Sequence, residues 1–428
     1  MRFGIGSIFS RPQFTCCKKP GPIHCQRWRE SRKNHKGTSA TPNAYFCRLI
    51  HFLVLLLSFS PAVWLLLVTV LVQLFYAAYY FLPFANRPPE PDPDATQTQP
   101  VSIIVCAHNE LDNLRQLLPL LLKQHYPTGF EIVLVDDRST DDSFLYIQQL
   151  TQYYATIRLV TIASTPKGLA PKKYALTLGI KAARHARLLF TDADCIPATN
   201  QWLLSMQAGF QRPADVVLGY SAYAPEPGFL NKLIRFETLL TGAQYLSFAW
   251  RGKPYMGVGR NLAYTQDVFR STRGFASHIR SLSGDDDLFV QDAVAQGKRV
   301  MVVAEPVAHT LSEPARTWTS WWRQKRRHMS AGRSYRVADR WRIGTFIGSN
   351  VLFHSISLTL LFFPSDWVPL AVLWAVRTAL VSGTYLRLSR RLDDLLPGAL
   401  LPILDLVYFF YYLALGVSLF LYRNLRWK

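Results

Sequence analysis

Val101-Ser102-Ile103-Ile104-Val105-Cys106-Ala107-His108-Asn109-Glu110 sets a short, β-branched apolar run directly against a polar end. A run with no period-two alternation is what a strand buried on both faces requires. Outward from it, a helix-like stretch extends through Leu122, and Glu131-Ile132-Val133-Leu134-Val135 repeats the apolar run. After a helix near Tyr174 to Arg184 comes Arg187-Leu188-Leu189-Phe190-Thr191. Apolar runs joined by amphipathic stretches predict an α/β fold with parallel strands covered by helices on both faces. In open sheets of this kind ligands bind beyond the carboxyl ends of the strands.

All three runs end in polar residues: Ala107-His108-Asn109-Glu110, Asp136-Asp137 and Asp192-Ala193-Asp194. Carboxylates gathered at one sheet edge repel one another by several kcal/mol, roughly, unless a cation or donor groups sit among them. Asp192 and Asp194 are the natural ligands, because carboxylate oxygens suit Mg²⁺ or Mn²⁺, ions completed by water and substrate phosphates. Taken alone, the triplet reads equally well as a turn cap.

The 428 residues carry 48 Lys and Arg against 28 Asp and Glu, a formal charge of +20. That balance points to nucleic acid, anionic headgroups or a phosphorylated substrate. Hydropathy narrows the choice, because apolar residues gather in long runs at the two ends. From Leu49 to Phe84 there is no Asp, Glu, Lys or Arg; as one helix this run would be about 54 Å long, against a hydrocarbon core of about 30 Å. Three more apolar stretches, 343–363, 367–386 and 396–421, are separated by Pro364-Ser365-Asp366 and by the basic Arg387 to Arg391 segment. The expected layout is a basic tail without a core at 1–48, an N-terminal membrane segment at 49–84 and a Pro-rich linker at 85–100. A soluble domain at 101–340 and a membrane region of about three spans at 341–428 complete it. Arg377 and Asp405 fall inside apolar stretches, where a charge faces the bundle interior. Cys16, Cys17, Cys25 and Cys47, with His24, fit no regular metal spacing, and Cys106 and Cys195 read as small buried hydrophobes.

The strand ends do not stand alone. Val101 to Glu110, Val135-Asp136-Asp137-Arg138-Ser139-Thr140-Asp141-Asp142-Ser143 and Thr191-Asp192-Ala193-Asp194 are followed by Ser283-Gly284-Asp285-Asp286-Asp287-Leu288 and Gln324-Lys325-Arg326-Arg327-His328. In order, spacing and content these segments resemble the family 2 glycosyltransferases. The membrane layout is similar to the cellulose synthase, hyaluronan synthase and poly-N-acetylglucosamine synthase branch. The resemblance implies a GT-A fold, a Rossmann-like mixed sheet with helices on both faces, in a glycosyltransferase catalytic domain at 101–340. It also implies an inverting, metal-dependent transfer from a nucleotide-sugar donor, expected to be a UDP-sugar.

Position by position, the resemblance makes Glu110 and Asp137 contacts to the donor nucleoside, with Asp137 accepting from a uracil-type base. Asp192 would lie near the ribose and the metal, and Asp194 would be the principal metal ligand. Lys172, before an Ala-Leu helix, falls near the diphosphate, with Lys167 and Lys173 close by. Asp286 would take the proton from the attacking hydroxyl, with Asp285 beside it; a capped helix start is the other reading of that cluster. Gln324 and Arg327 match the Gln-x-x-Arg part of a Gln-x-x-Arg-Trp motif that holds the diphosphate. His328 stands in the tryptophan position, which puts processive synthesis in doubt and leaves His328 and Trp322 as acceptor-side rings. Gly259-Arg260-Asn261 resembles the family's Gly-x-Asn segment and puts Asn261 under the acceptor. The basic run from Arg323 to Arg336 also reads as an interfacial helix on anionic headgroups. His309 reads as an extra metal ligand or as a satisfied strand-end residue.

The expectation is an integral protein of the cytoplasmic (inner) membrane, its catalytic domain in the cytoplasm, that extends a saccharide for cell-surface or extracellular polysaccharide. A lipid-linked phosphate or glycolipid acceptor is the alternative, and a catalytically silent membrane scaffold is the alternative outside enzymes. Expected partners are the nucleotide-sugar, the acceptor, membrane lipids and a synthase-complex partner, with no nucleic acid. A single N-terminal span would put the basic tail and the soluble domain on opposite sides. Residues 49–84 are therefore expected to form a hairpin breaking near Ser60-Pro61, or the natural start lies downstream of the tail.

Overall fold

A computed structural model describes residues 59–89 and 94–421. The N-terminal cysteine group, the start of the 49–84 segment and hence the hairpin reading fall outside the described residues. Ser60 caps the first helix, α1 (Pro61–Ala85): its hydroxyl accepts from the Val63 N–H at 3.4 Å, and Pro61 occupies the first turn, where a missing N–H costs nothing.

The soluble part begins β1 (Val101–Ala107), α2 (Leu111–Leu122), β2 (Phe130–Asp137), α3 (Ser143–Tyr153), β3 (Ile157–Ile162), α4 (Pro171–Ala182) and β4 (Arg187–Phe190). β1 pairs in parallel with β2 and β4, and β2 with β3. Ile103, Ile104 and Val105 of β1 and Ile132 to Val135 of β2 are fully buried, as their unbroken apolar runs demand. The register sets Ala107 opposite Asp136 and Ile104 opposite Phe190, so the three polar strand ends emerge at one sheet edge. Gly179 lets α4 lie close on that sheet, since a Cβ there would meet Val135 Cγ2 at 2.8 Å and Ile104 Cγ2 at 2.9 Å.

There follow β5 (Cys195–Pro197), α5 (Trp202–Ala208), β6 (Val216–Leu218), β7 (Ser221–Tyr223), α6 (Phe229–Trp250), β8 (Leu262–Thr265), α7 (Gln266–Ser271), α8 (Asp287–Ala295), β9 (Val300–Val302) and β10 (Thr310–Ser312). The main sheet runs β3-β2-β1-β4-β8-β6-β9, with a smaller sheet β5-β10-β7. β8 is antiparallel to both β4 and β6, which makes the sheet mixed. Apolar periodicity alone predicts only parallel strands, because a run as short as Leu262-Ala263-Tyr264 says nothing about direction.

The described residues close with α9 (Trp318–Ala331), α10 (Val337–Leu360), α11 (Trp367–Arg391) and α12 (Leu401–Leu421). Among the described residues, four helical segments are long and apolar enough to cross a membrane: Pro61–Ala85, Val337–Leu360, Pro364–Arg391 and Gly398–Ser418. Arg377 and Asp405 face the bundle interior and pair there, with Arg377 Nη2 at 3.2 Å from Asp405 Oδ1. Gln73 of α1 accepts from Arg377 Nε at 2.7 Å, while Asn350 and His354 of α10 reach the Asp405 carboxylate at 3.1 Å each. All four segments thus share one polar node. The soluble part is seamed to this bundle: Trp321 stacks on Tyr411 at 4.8 Å, and Asp394 accepts from Tyr220 at 2.9 Å and from Arg235 at 2.7 Å.

Candidate active site

Two residues with left-handed backbone open the site. Asn109 (φ 58°) follows β1 and Arg138 (φ 60°) follows β2; asparagine tolerates this region, and a longer side chain adopts it only where its surroundings enforce it. Asn109 knits the two strand ends together, its Oδ1 accepting from the Thr140 N–H at 2.7 Å and its N–H donating to Ser139 Oγ at 3.0 Å. Arg138 folds back on Asp137 through two hydrogen bonds of 2.8 and 3.2 Å. Asp137 is 7% exposed, so a nucleobase reaching it must share its carboxylate with that guanidinium. Glu110 accepts from Asn113 at 2.6 Å; enclosure by protein raises its pKa, the Asn113 bond opposes this, and the charges of Asp194, Asp192 and Asp141 add to the rise.

Lys172, near the start of α4, joins the two acidic groups. Its Nζ lies 2.9 Å from Asp192 Oδ1 and 3.3 Å from Asp285 Oδ2. Enclosure opposes its charge, but the two carboxylates outweigh it and raise the lysine pKa. Burial pushes the Asp285 carboxyl up, but Lys172, a backbone N–H and Lys173 together hold it below its ordinary value. Asp286 goes the other way, raised first by enclosure and then by the neighbouring charge of Asp285. Its Oδ2 accepts from the Gly259 N–H at 2.9 Å and its Oδ1 from the Asp287 N–H at 2.8 Å. Asp286 therefore caps α8 and still keeps a lone pair on each oxygen for a proton. Gly284 makes the turn into this cluster with φ +96°, where a Cβ would also meet Leu288 Cδ1 at 2.5 Å. Asp287 points inward, accepting from Tyr335 at 2.5 Å, and burial followed by the Asp286 charge pushes its pKa up to about 7.

Asp192, Asp194 and Cys195 offer ligand atoms within 4.8 Å of one another. The thiol is a poor fit for a hard cation: it is buried, engaged with Ser312 Oγ at 2.9 Å, and burial drives its pKa well up. The two carboxylates do fit one. Asp194 is exposed at the rim, yet the protein around its carboxyl and then the Asp192 charge raise its pKa, which a cation would reverse.

Arg260, which linear spacing does not single out, stands beside these acids. It donates to Ser312 Oγ at 2.7 Å, lies 4.6 Å over the Tyr223 ring and, although enclosed, has its pKa raised by neighbours that include Tyr223, Asp194 and Asp192. Gln324 donates to Tyr223 Oη at 3.2 Å, so α9 reaches the same wall. His328 is exposed, but the surrounding protein, then the charges of Lys325, Arg327, Arg260 and Lys172, hold its pKa well below the usual value. Such a cationic wall opposite carboxylates suits a metal-bridged diphosphate.

Three predicted positions lie elsewhere. Asn261 is fully buried, accepts from Trp202 at 3.1 Å and donates to the Tyr220 and Ala308 carbonyls at 2.8 Å, so it braces the floor instead of facing an acceptor. Trp322 is half-buried, edge-on to Tyr411 at 6.2 Å. His309 is buried with its Nε2 at 3.3 Å from the Ala304 carbonyl, and burial lowers its pKa to about 4. It is a satisfied strand-end residue.

A family model for glycosyl transferase family 2 matches residues 102–273, and one for glycosyl transferase family group 2 matches residues 189–389. The probable glycosyltransferase YdaM of Bacillus subtilis (strain 168) is 23% identical over 252 residues, 58% of this chain and 59% of its own. Glycosyltransferase AglE of Haloferax volcanii is 31% identical over 204 residues, 47% of this chain and 64% of its own. The chain thus spans less than two thirds of the length of either curated relative. In fold it is similar to the mannosyltransferase PcManGT of Pyrobaculum calidifontis, solved with GDP-Man and Mn²⁺, at a TM-score of 0.51 and 17% identity, covering 83% of this chain and 97% of that one.

Proposed function

This chain belongs to the family 2 glycosyltransferases, and from that premise we propose that it moves a sugar, with inversion, from a nucleotide-sugar to a saccharide hydroxyl at the cytoplasmic face of a membrane. The reading rests above all on Lys172, whose Nζ ties Asp192 to Asp285 and so makes one site of the metal-side and acceptor-side acids. Asp192 and Asp194 would hold a divalent cation, Mg²⁺ or Mn²⁺, which when bound neutralises charge on the departing nucleoside diphosphate. Glu110 and Asp137 line the nucleoside end, and Lys172, Gln324, Arg327 and Arg260 the diphosphate end. Asp286 accepts the proton of the attacking hydroxyl as its oxygen bonds to the anomeric carbon and the bond from that carbon to the phosphate oxygen breaks.

A lipid-linked acceptor is the second reading, favoured by one observation: Trp322 is turned against Tyr411, and His328 stands where the family's polymer-stacking tryptophan would be. Incubating the full chain with labelled UDP- and GDP-sugars and separating organic-phase from aqueous products distinguishes the two.

Binding of UDP or GDP to the detergent-solubilised chain should tighten roughly tenfold or more with Mn²⁺, and Asp194→Ala should remove that gain. Undiminished turnover by Asp194→Ala in the presence of a chelator would refute the metal assignment.

A further inference from the structure

Lys173, next to the bridging lysine, is 1% exposed, yet its ammonium faces neutral groups at hydrogen-bond distance. Its Nζ donates to His278 Nδ1 at 2.7 Å, to the His278 carbonyl at 2.7 Å and to the Ser283 carbonyl at 2.8 Å, which uses all three of its protons. Burying an ammonium is costly, and an apolar side chain would fill the same volume without that penalty. What the ammonium adds is direction: it fixes three acceptors at once. Burial pushes its pKa down to about 8, against the opposing charges of Asp285, Asp287, Asp286 and Asp292.

The acceptors frame the acidic loop. Ser283 immediately precedes Gly284, whose left-handed backbone is the freest joint before Asp285 and Asp286. The Ala170 N–H adds a second strut, donating to the Ile279 carbonyl at 3.0 Å. His278 accepts from Lys173 through Nδ1 and points Nε2 toward Asp292 Oδ2 at 3.5 Å without a formed hydrogen bond, so the link to Asp292 is closed by the adjacent Ser277 hydroxyl. Asp292 lies on α8, the helix that Asp286 caps, and accepts from Ser277 Oγ at 2.5 Å. A closed circuit therefore runs from the start of α4 through the 278–283 segment to α8, while Lys172 grips Asp285 from the same turn of α4.

We infer that Lys173, with His278 as its acceptor, is a positioning residue for sugar transfer, setting where Asp286 stands relative to the donor held beside Lys172. The inference rests on the function proposed above. A displacement of about 1 Å at a reacting centre costs on the order of 10²-fold in rate.

The test uses the full chain in detergent or nanodiscs. Lys173→Met is expected to lower kcat roughly 10–100-fold, with the donor KM, and the affinity for UDP or GDP with Mn²⁺, close to the parent values. His278→Gln, whose side-chain carbonyl can still accept from Lys173, should keep most of the activity, whereas His278→Leu should fall with Lys173→Met. An unchanged kcat in Lys173→Met overturns the inference. So does a joint loss of kcat, nucleotide affinity and melting temperature in both Lys173→Met and His278→Leu, which marks a merely structural contact. A parent chain inactive with every donor overturns the sugar-transfer reading and this inference with it; an active parent beside an unimpaired Lys173→Met overturns the inference alone.

Discussion

Asp286→Asn is expected to slow sugar transfer roughly 10²–10⁴-fold, the range attributed to a positioned general base, while leaving nucleotide binding near the parent level. The separation follows from geometry. Asp286 accepts hydrogen bonds from the Gly259 and Asp287 N–H groups on the proposed acceptor side, and Lys172, not Asp286, meets Asp192 on the proposed donor side. The asparagine oxygen can still accept one of the two backbone N–H groups, so the cap on α8 survives in part. The variant loses the ability to take a proton. Steady-state rates beside calorimetric binding of UDP or GDP with Mn²⁺ provide the check, and nucleotide affinity lost in step with activity would place Asp286 on the donor instead. Because enclosure and Asp285 raise the Asp286 pKa, the proposed base is lost at a higher pH than an ordinary aspartate would be. Activity should therefore decline as pH falls through that raised value, and the acid limb should be missing from whatever residual rate Asp286→Asn retains.

The second large effect concerns stability. Asp405→Ala removes one partner of a buried pair and leaves Arg377, among the described residues, with Gln73 at hydrogen-bond distance, a loss of about 3–5 kcal/mol by analogy with broken buried ion pairs. Replacing both charges, as Arg377→Leu with Asp405→Leu, should recover most of it, because the double variant strands neither charge. Asn350 and His354 then lose their carboxylate partner, so recovery is expected to stop short of the parent. Thermal unfolding followed by size-exclusion fluorescence in detergent reads both; a double variant no better than Asp405→Ala would contradict the pairing account.

The parts of this fold legible in the sequence are those in which one segment carries its own signal. β1, β2 and β4 announce themselves as unbroken apolar runs, and their polar ends meet because parallel pairing aligns carboxyl termini. The interior placement of Arg377 and Asp405 follows likewise from the cost of charge in hydrocarbon. The 343–363 stretch proves to start earlier, with α10 beginning at Val337, because Arg340 and Arg342 are tolerated at the end of a helix where apolar counting stops. Arg260 and the Lys173–His278 contact were not legible for another reason. Lys173 and His278 are 105 positions apart, and nothing local to either residue names the other. Asn261 is ambiguous in the sequence because a Gly-x-Asn setting is shared by residues that face a ligand and residues that brace one; only its full burial separates them.

The seam between Trp321 and Tyr411, with the Asp394 contacts beside it, bears on how the protein can be handled. A fragment trimmed after the last soluble helix would carry an indole stripped of its stacking neighbour, with Tyr220 and Arg235 deprived of the carboxylate they share. Such a piece should clump on expression, so purification has to begin from the intact polypeptide in a lipid mimic.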